Sequence, residues 1–190
     1  MDIAKLALRG TIGSLFVGHG TQKLFGWFGG HGPEGTGGYF ESLGLRPGKR
    51  HAIAAGAAEA GGGALLILGA ATPLAAAALT GAMTTAIRKV HAPKGPWVTE
   101  GGWEYNAVLI GAVAVLAESG PGRPSVSPGW HGKGWALAAV AAGVAGSFLN
   151  DQLSSPPPPE DTASAGDPDV TAAAAEQARF SHEQATAPRE

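Results

Sequence analysis

The sequence predicts an all-α membrane protein, a four-helix transmembrane bundle followed by a possible fifth short helix and a disordered C-terminal tail. Apolar runs alternate with Gly/Pro-rich loops, and a helix needs roughly 20 residues to cross a bilayer core. Residues 1–150 hold 11 basic and 7 acidic residues, whereas residues 151–190 hold 2 and 8. The charged fraction of 15% and the mean hydropathy of +0.06 therefore average an apolar body and an acidic tail.

The first helix is expected over about Lys5 to Phe28. Basic residues precede its apolar run, as in a signal peptide, but a signal peptide has an uninterrupted apolar core and a small-residue cleavage site. Here His19 and Lys23 interrupt the run, and aromatic residues and glycines end it. We therefore interpret it as a retained transmembrane helix.

The second and third helices are expected over Ala52–Ala71 and Leu74–Ile87. A glycine-rich loop, Gly29–Lys49, precedes them, with a short interfacial helix predicted at Tyr39–Leu43. The second helix carries a single charge, Glu59. A two-residue Thr-Pro connection joins the two helices, which makes them antiparallel neighbours.

The fourth helix is expected over about Trp103–Ala117, after a loop at Val90–Gly102. Gly134–Leu149 is a fifth apolar run of about sixteen residues, and both a fifth crossing and an interfacial helix stay open for it. From 151 onward the chain is rich in Pro, Ala and acid, a composition typical of disorder. The predicted organisation is a transmembrane bundle over 1–123, a connector with the fifth helix over 124–150, and a disordered tail over 151–190.

Small residues are expected to hold the first two helices together. Close approach of backbones at Gly and Ala is the usual means of helix association in lipid. The candidates are Gly56, Ala60 and Gly63 of the second helix, with Gly10 and Gly13 of the first.

Three ionisable residues from two helices are expected at similar depth below one membrane face. His19 and Lys23 share one helix face, and Glu59 lies at a comparable depth when 1.5 Å is allowed per residue. Four further polar residues are expected near the rim above them: Arg88, His91, Glu104 and Asn106. Two interpretations remain open: an ion pair of Glu59 with Lys23 or Arg88 that locks the helices, and a polar pocket that binds a small molecule or relays protons.

Several other chemistries have little support. Cysteine is absent, which excludes thiolate ligands and a cysteine nucleophile. His19, His91, Glu59 and Glu104 are admissible metal ligands, but no pair has the local spacing of a metal site, so no metal is predicted. No phosphate loop, nucleophile elbow or nucleic-acid patch is present.

Four segments carry a family resemblance: His19–Gly26, Ala58–Gly62, Ile87–Gly95 and Glu100–Asn106. In order and separation they resemble the DoxX family over about residues 5–123. That family is named for a subunit of a terminal quinol oxidase, also described as a thiosulfate:quinone oxidoreductase. Other members belong to membrane redox complexes that handle oxidative and thiol stress. The resemblance implies a four-helix membrane bundle and a link to quinone chemistry.

With the resemblance, we expect a multi-pass inner-membrane subunit or accessory protein of quinone-linked oxidoreduction, with a quinone as cofactor. Whether the chain is itself catalytic stays open. The alternatives are a scaffold that recruits soluble redox enzymes and a carrier for a small anion. Partners are the lipid bilayer, soluble redox enzymes and, if it assembles, further copies of the chain. The candidate catalytic residues are His19, Lys23, Glu59 and Arg88, and the candidate cofactor-binding residues are His91, Lys94, Trp97, Trp103, Glu104, Tyr105 and Asn106.

Overall fold

The computed structural model describes residues 2–127 and 129–154. Over these residues the chain is all-helical and contains no strand. Its α-helices are α1 (Ile3–Phe25), α2 (Gly32–Ser42), α3 (Gly48–Leu68), α4 (Thr72–Ala86), α5 (Glu104–Ser119) and α6 (Trp135–Gln152). A π-helical turn at Ile87–His91 continues α4, and 3₁₀ turns occur at Trp27–Gly29, Ala92–Lys94 and Val98–Glu100. Most of the predicted tail lies outside the described residues.

The long helices run alternately up and down, so the bundle has two distinct ends. At the end where α3 and α4 connect, the Lys5 ammonium of α1 donates to the Ser119 carbonyl of α5 over 2.6 Å. At the other end, His51 Nδ1 at the start of α3 lies 2.9 Å from Asn150 Oδ1 near the end of α6. We refer to this second end as the motif end, because the segments 19–26 and 87–106 lie there.

Small residues bring α1 and α3 together, as predicted, but not every glycine named in advance takes part. A Cβ built at Gly13 would lie 2.6 Å from the Gly63 carbonyl oxygen, and one at Gly20 would lie 2.6 Å from that of Gly56. Side chains at these positions would therefore force the backbones apart. The prediction for Gly10 was wrong: nothing lies within 4 Å of a Cβ there. Gly20, which was not named, is the contact toward the motif end.

The loop predicted at residues 29–49 contains a longer helix than expected. α2 spans eleven residues, with Pro33 in its first turn, although the segment is rich in glycine. Gly37 lets α2 lie directly on the start of α3, because a Cβ there would be 2.8 Å from the Lys49 backbone nitrogen. Lys49 also bonds the Glu34 carboxylate over 2.5 Å, and this hydrogen bond holds the pKa of that exposed carboxyl below its usual value. Packing against α3 thus stabilises a helix that propensity alone disfavours.

α6 is a full helix that follows α4 and α5 along the bundle. Its first turn is capped by the Glu118 carboxylate, which accepts from the backbone N–H groups of Gly134 at 3.1 Å and Ala136 at 3.0 Å. Gly143 allows close contact with α4, since a Cβ there would lie 2.8 Å from the Gly81 nitrogen. The helix ends at Gln152, so Asp151, assigned in advance to the tail, is helical.

The two ends of the bundle carry different kinds of polar group. Away from the motif end, the buried Arg9 donates to the Pro124 carbonyl and lies against Gly69, the residue that terminates α3. A cation is favourable at the carbonyl end of a helix. At this end the Arg9 guanidinium thus connects the loop at Pro124 to the end of α3. The motif end contains the ion pairs described below.

By length and composition, one described helix, α3, is apolar and long enough to cross a membrane. α4 and α5 contain 15 and 16 residues. Each alone is shorter than the roughly 20 residues that a bilayer core requires. The π-helical turn extends the helical path of α4 to His91.

Candidate functional site

An ion pair joins α1 to α3 inside the bundle. Lys23 Nζ lies 2.6 Å from Glu59 Oε2, and the side chains of Lys23 and Glu59 are 22% and 6% exposed. Lys23 occupies the last turn of α1, while Glu59 lies in the middle of α3 next to the glycine contacts. The partner anticipated for Glu59 was Lys23 or Arg88, and the structure selects Lys23. A carboxylate at this depth needs such a partner because removing a lone charge from water is costly.

A cavity of about 770 Å³ lies beside this pair and reaches the surface of the bundle. Its wall is mostly apolar and is formed by all six helices together with the loops at the motif end. The polar and ionisable side chains that line it include His19, Lys23, His51, Glu59, Lys89, His91, Tyr105, Asn106 and Asn150. Six of the residues predicted from sequence therefore share one cavity: His19, Lys23, Glu59, His91, Tyr105 and Asn106.

Asn106 is a buried polar group of this cavity whose side-chain hydrogen bond is weak. It lies in the first turns of α5 with 7% of its surface exposed. Its Nδ2 donates to the thioether sulfur of Met83 over 3.3 Å. Thioether sulfur is a weak acceptor, and buried amides normally form stronger hydrogen bonds. Asn106 thus retains donor and acceptor capacity beside the cavity.

His19 is held by a short chain of side-chain contacts. The Gln22 amide nitrogen donates to the Phe28 carbonyl over 3.3 Å, which turns Gln22 Oε1 toward His19 Nδ1 at 3.1 Å. In a neutral ring this geometry assigns the proton to Nδ1 and leaves Nε2 as an acceptor. His91 has the same arrangement, since its Nδ1 lies 2.7 Å from the Gly101 carbonyl oxygen. Two imidazole rings at the cavity therefore have their Nδ1 positions occupied by backbone or amide oxygens.

Arg88 does not line the cavity. It lies in the π-helical turn, where Nη2 bonds Asp151 Oδ2 over 2.6 Å and Nη1 donates to the Ser147 carbonyl over 3.1 Å. Its guanidinium carbon also lies 3.7 Å from the centre of the Phe148 ring. Arg88 thus anchors the end of α6, and the expectation that it reaches the site with Glu59 has no counterpart in these contacts.

Four other predicted residues also lie outside the cavity wall: Lys94, Trp97, Trp103 and Glu104. Trp97 is 63% exposed and Trp103 38% exposed. Glu104 accepts from the Val98 backbone N–H over 2.7 Å, which ties the loop to the start of α5. The loop 92–103 directs these side chains outward, and Tyr105 is the aromatic of the predicted set that reaches the cavity.

Sequence reasoning missed the residues that close the cavity at the motif end. His51 is buried and contacts Asn150, the Arg46 carbonyl at 3.3 Å and Ser154 Oγ at 3.2 Å. Asp151 also pairs with Lys89 at 3.1 Å. Apart from the contact with Arg46, these contacts join residues about 60 to 100 positions apart, and helix depth alone does not predict them. The polar ending of the α6 run, Asn-Asp-Gln, was the available hint.

Within the described part of the chain, no group of three or more His, Asp or Glu residues is arranged to hold a metal ion. The carboxylates Glu59 and Asp151 are instead bonded to lysine or arginine side chains of another element. The site therefore offers hydrogen-bond donors and acceptors beside a buried ion pair.

The fold and site define a small helical protein with an ion pair enclosed beside a largely apolar cavity. Residues 4–92 match the family model described as DoxX. This region covers α1 to α4 and the π-helical turn, just under half of the chain, and the match supports membership of the DoxX family, whose proteins are membrane-associated. The match supports the resemblance over the first two motif segments and most of the third, while Glu100–Asn106 lies beyond the matched residues. No curated protein and no solved structure gives a significant match to the chain.

Proposed function

We propose that the protein binds the headgroup of a quinone beside the Lys23–Glu59 pair, as an integral membrane subunit or accessory protein of quinone-linked oxidoreduction. The observation that carries the proposal is Asn106, a buried amide with a weak thioether partner, in the same cavity as the ion pair. A quinone carbonyl is a stronger acceptor than a thioether. A bound quinone would therefore give the Asn106 amide a stronger hydrogen-bond acceptor than the Met83 sulfur.

The residues present are compatible with such a headgroup. Lys23 and Asn106 supply donors for carbonyl oxygens, and Tyr105 supplies an aromatic ring. The mostly apolar wall suits a ring with few polar atoms, which is the usual composition of a cofactor site. His19 and His91 place ring nitrogens where protons can be exchanged.

Quinone reduction consumes two electrons and two protons, and the residues of this cavity account for protons alone. With no cysteine in the chain, we assign electron transfer to a partner oxidoreductase in the membrane or in solution. The role proposed for this chain is therefore binding and proton exchange. Glu59 is the carboxylate that we assign to this exchange, and Lys23 is its ion-pair partner.

The ion pairs weaken the anion-carrier alternative. A carrier would use Lys23 and Arg88 to attract an anion, yet each is bonded to a carboxylate, Glu59 and Asp151 respectively. The charge of Lys23 is compensated by Glu59, whereas Arg88 shares Asp151 with Lys89 and lies outside the cavity wall. The scaffold alternative makes no use of a cavity of this size, and it is distinguished by the binding experiment below.

We also propose that α1, α3, α4 with its π-helical turn, and α5 cross the inner membrane as a four-helix bundle. Small-residue packing between α1 and α3 and ionisable groups turned to the interior are typical of membrane bundles. α6 extends from the end where Glu118 caps it to the motif end where Asn150 meets His51. This path favours a fifth crossing over an interfacial helix.

The test is equilibrium binding of a benzoquinone without a tail to the purified full-length protein in detergent. We expect saturable binding to the wild type and about fivefold weaker binding for Asn106→Leu, since one lost hydrogen bond is worth about 1 kcal/mol. Glu59→Gln should also weaken binding. Glu100→Ala, an exposed change on the neighbouring loop, is the control. Absence of saturable binding to folded wild-type protein would refute the proposal in favour of the scaffold.

A further inference from the structure

The cavity continues from the ion pair into a cleft on the outside of the bundle. α3 and α6 both pack against α4, and the same cavity is lined by Ala54 and Ala58 of α3 and by Ala142 and Gly146 of α6. Its floor is a stripe of α4 that runs from Leu74 to Thr85. Most residues of this stripe are alanine or glycine, and their small side chains leave space above the helix. Leu74, at the far end of the stripe, is 56% exposed.

The cleft is closed at one end and is uncharged along its length. At the motif end the contact of His51 with Asn150, at 2.9 Å, joins α3 to α6 and forms a roof. Neither α4 nor the segment of α6 from Trp135 to Asn150 contains an Asp, Glu, Lys or Arg. An occupant must therefore be apolar and must enter from the side, where the bundle faces lipid.

The dimensions of the cleft indicate a chain that lies along one leaflet. The floor from Leu74 to Thr85 covers eleven residue steps, about 16 Å at 1.5 Å per residue. This is about half of the roughly 30 Å hydrocarbon core. The groove begins near Lys23 and Glu59 and follows the apolar stripe of α4 for about the depth of one leaflet. This shape fits an amphiphile with a polar headgroup and a linear tail.

We infer that this cleft binds the prenyl or alkyl tail of the quinone whose headgroup lies beside Lys23 and Glu59, an inference that rests on the proposed function. The tail lies on α4 between α3 and α6, and the headgroup passes between the upper parts of α3 and α4 into the cavity. The wall supplied by α6 lies outside the region that matches the DoxX family model. Preference for a long tail is thus a property that α6 adds to this chain.

The experiment compares a tail-less benzoquinone with the same headgroup carrying a decyl chain, on the full-length protein in detergent. Ala78→Phe fills the floor of the cleft and Gly146→Leu fills its wall, where nothing lies within 4 Å of an added Cβ. Gly61→Leu, on an exposed position of α3 that does not line the cavity and also has open space, is the matched control. Circular dichroism and thermal melting establish that each variant is folded.

We expect the decyl compound to bind the wild type more tightly than the tail-less one. Either cleft variant should weaken decyl binding about tenfold, because about two buried methylenes are displaced, and should leave tail-less binding within about twofold. If the tail-less compound binds but the chain adds no affinity, or if both folded variants retain the added affinity, the cleft inference is overturned while the headgroup site stands. If neither compound binds the wild type, the headgroup proposal fails, and the cleft inference fails with it.

Discussion

Lys23 Nζ of α1 and Glu59 Oε2 of α3 lie 2.6 Å apart although 36 positions separate the two residues in the chain. The pair lies beside the closest contact of the two helices, where Gly20 meets Gly56. The glycine contacts and the ion pair therefore both hold α1 against α3. Because Glu59 is almost fully buried, its charge depends on Lys23 for compensation.

The first prediction concerns the energy of this pair. Glu59→Gln and Lys23→Met should each lower the free energy of unfolding, by up to about 3 kcal/mol, because each leaves the partner without its counter-charge. The double variant should recover part of the loss, with a coupling energy of roughly 1–3 kcal/mol. Denaturant unfolding in detergent measures all four proteins. Additive effects of the two single changes would show that the residues are not energetic partners.

A second prediction concerns the glycine contacts between α1 and α3. Gly63→Leu should destabilise the bundle by at least about 1–3 kcal/mol, since a Cβ at Gly63 would lie 2.6 Å from the Gly13 carbonyl oxygen and 2.9 Å from the Val17 nitrogen. Gly61→Leu, two positions away in open space, should have little effect. Melting temperatures in one detergent compare the two variants. Equal melting would argue against close packing at Gly63.

The geometric part of the site was predictable because it follows from helix periodicity. Lys23 and Glu59 were matched by depth, and the structure joins them; His19, His91, Tyr105 and Asn106 also reach the same cavity. The sequence did not predict the orientation of side chains on irregular segments. Trp97 and Trp103 belong to a loop of 3₁₀ turns, where no simple period indicates the buried face. Arg88 was misjudged because its partner, Asp151, had been assigned to the tail.

A third prediction concerns the attachment of α6. Asp151→Ala should increase amide hydrogen exchange in the last two turns of α6, because it removes the carboxylate that both Arg88 and Lys89 contact. The two cations should also become more exposed. Lys133→Ala, an exposed change before α6, serves as the control. Unchanged exchange in Asp151→Ala would mean that the packing of Gly143 and Ser147 suffices to hold the helix.

A fourth prediction concerns the tautomer of His19. The orientation of Gln22, fixed by the Phe28 carbonyl, should keep the proton of the neutral ring on Nδ1. Nitrogen-15 NMR of histidine-labelled protein, with His19 assigned by comparison with His19→Gln, distinguishes the two ring nitrogens. Gln22→Leu should return His19 to a mixed or Nε2-protonated form. A predominantly Nε2-protonated ring in the wild type would contradict this account of the proton-exchanging nitrogen.

The central claim is that the cavity beside Lys23 and Glu59 holds a quinone headgroup, and photoaffinity mapping tests it most directly. Folded, full-length protein is labelled with an azido-benzoquinone, with and without excess unlabelled quinone, and the modified peptides are identified by mass spectrometry. We predict competed labelling at cavity residues of α1, α3 and α5, including the peptide that contains Tyr105 and Asn106. Labelling confined to the exposed aromatic residues outside the cavity, such as Phe28 and Trp97, or labelling that excess quinone does not reduce, would contradict the claim.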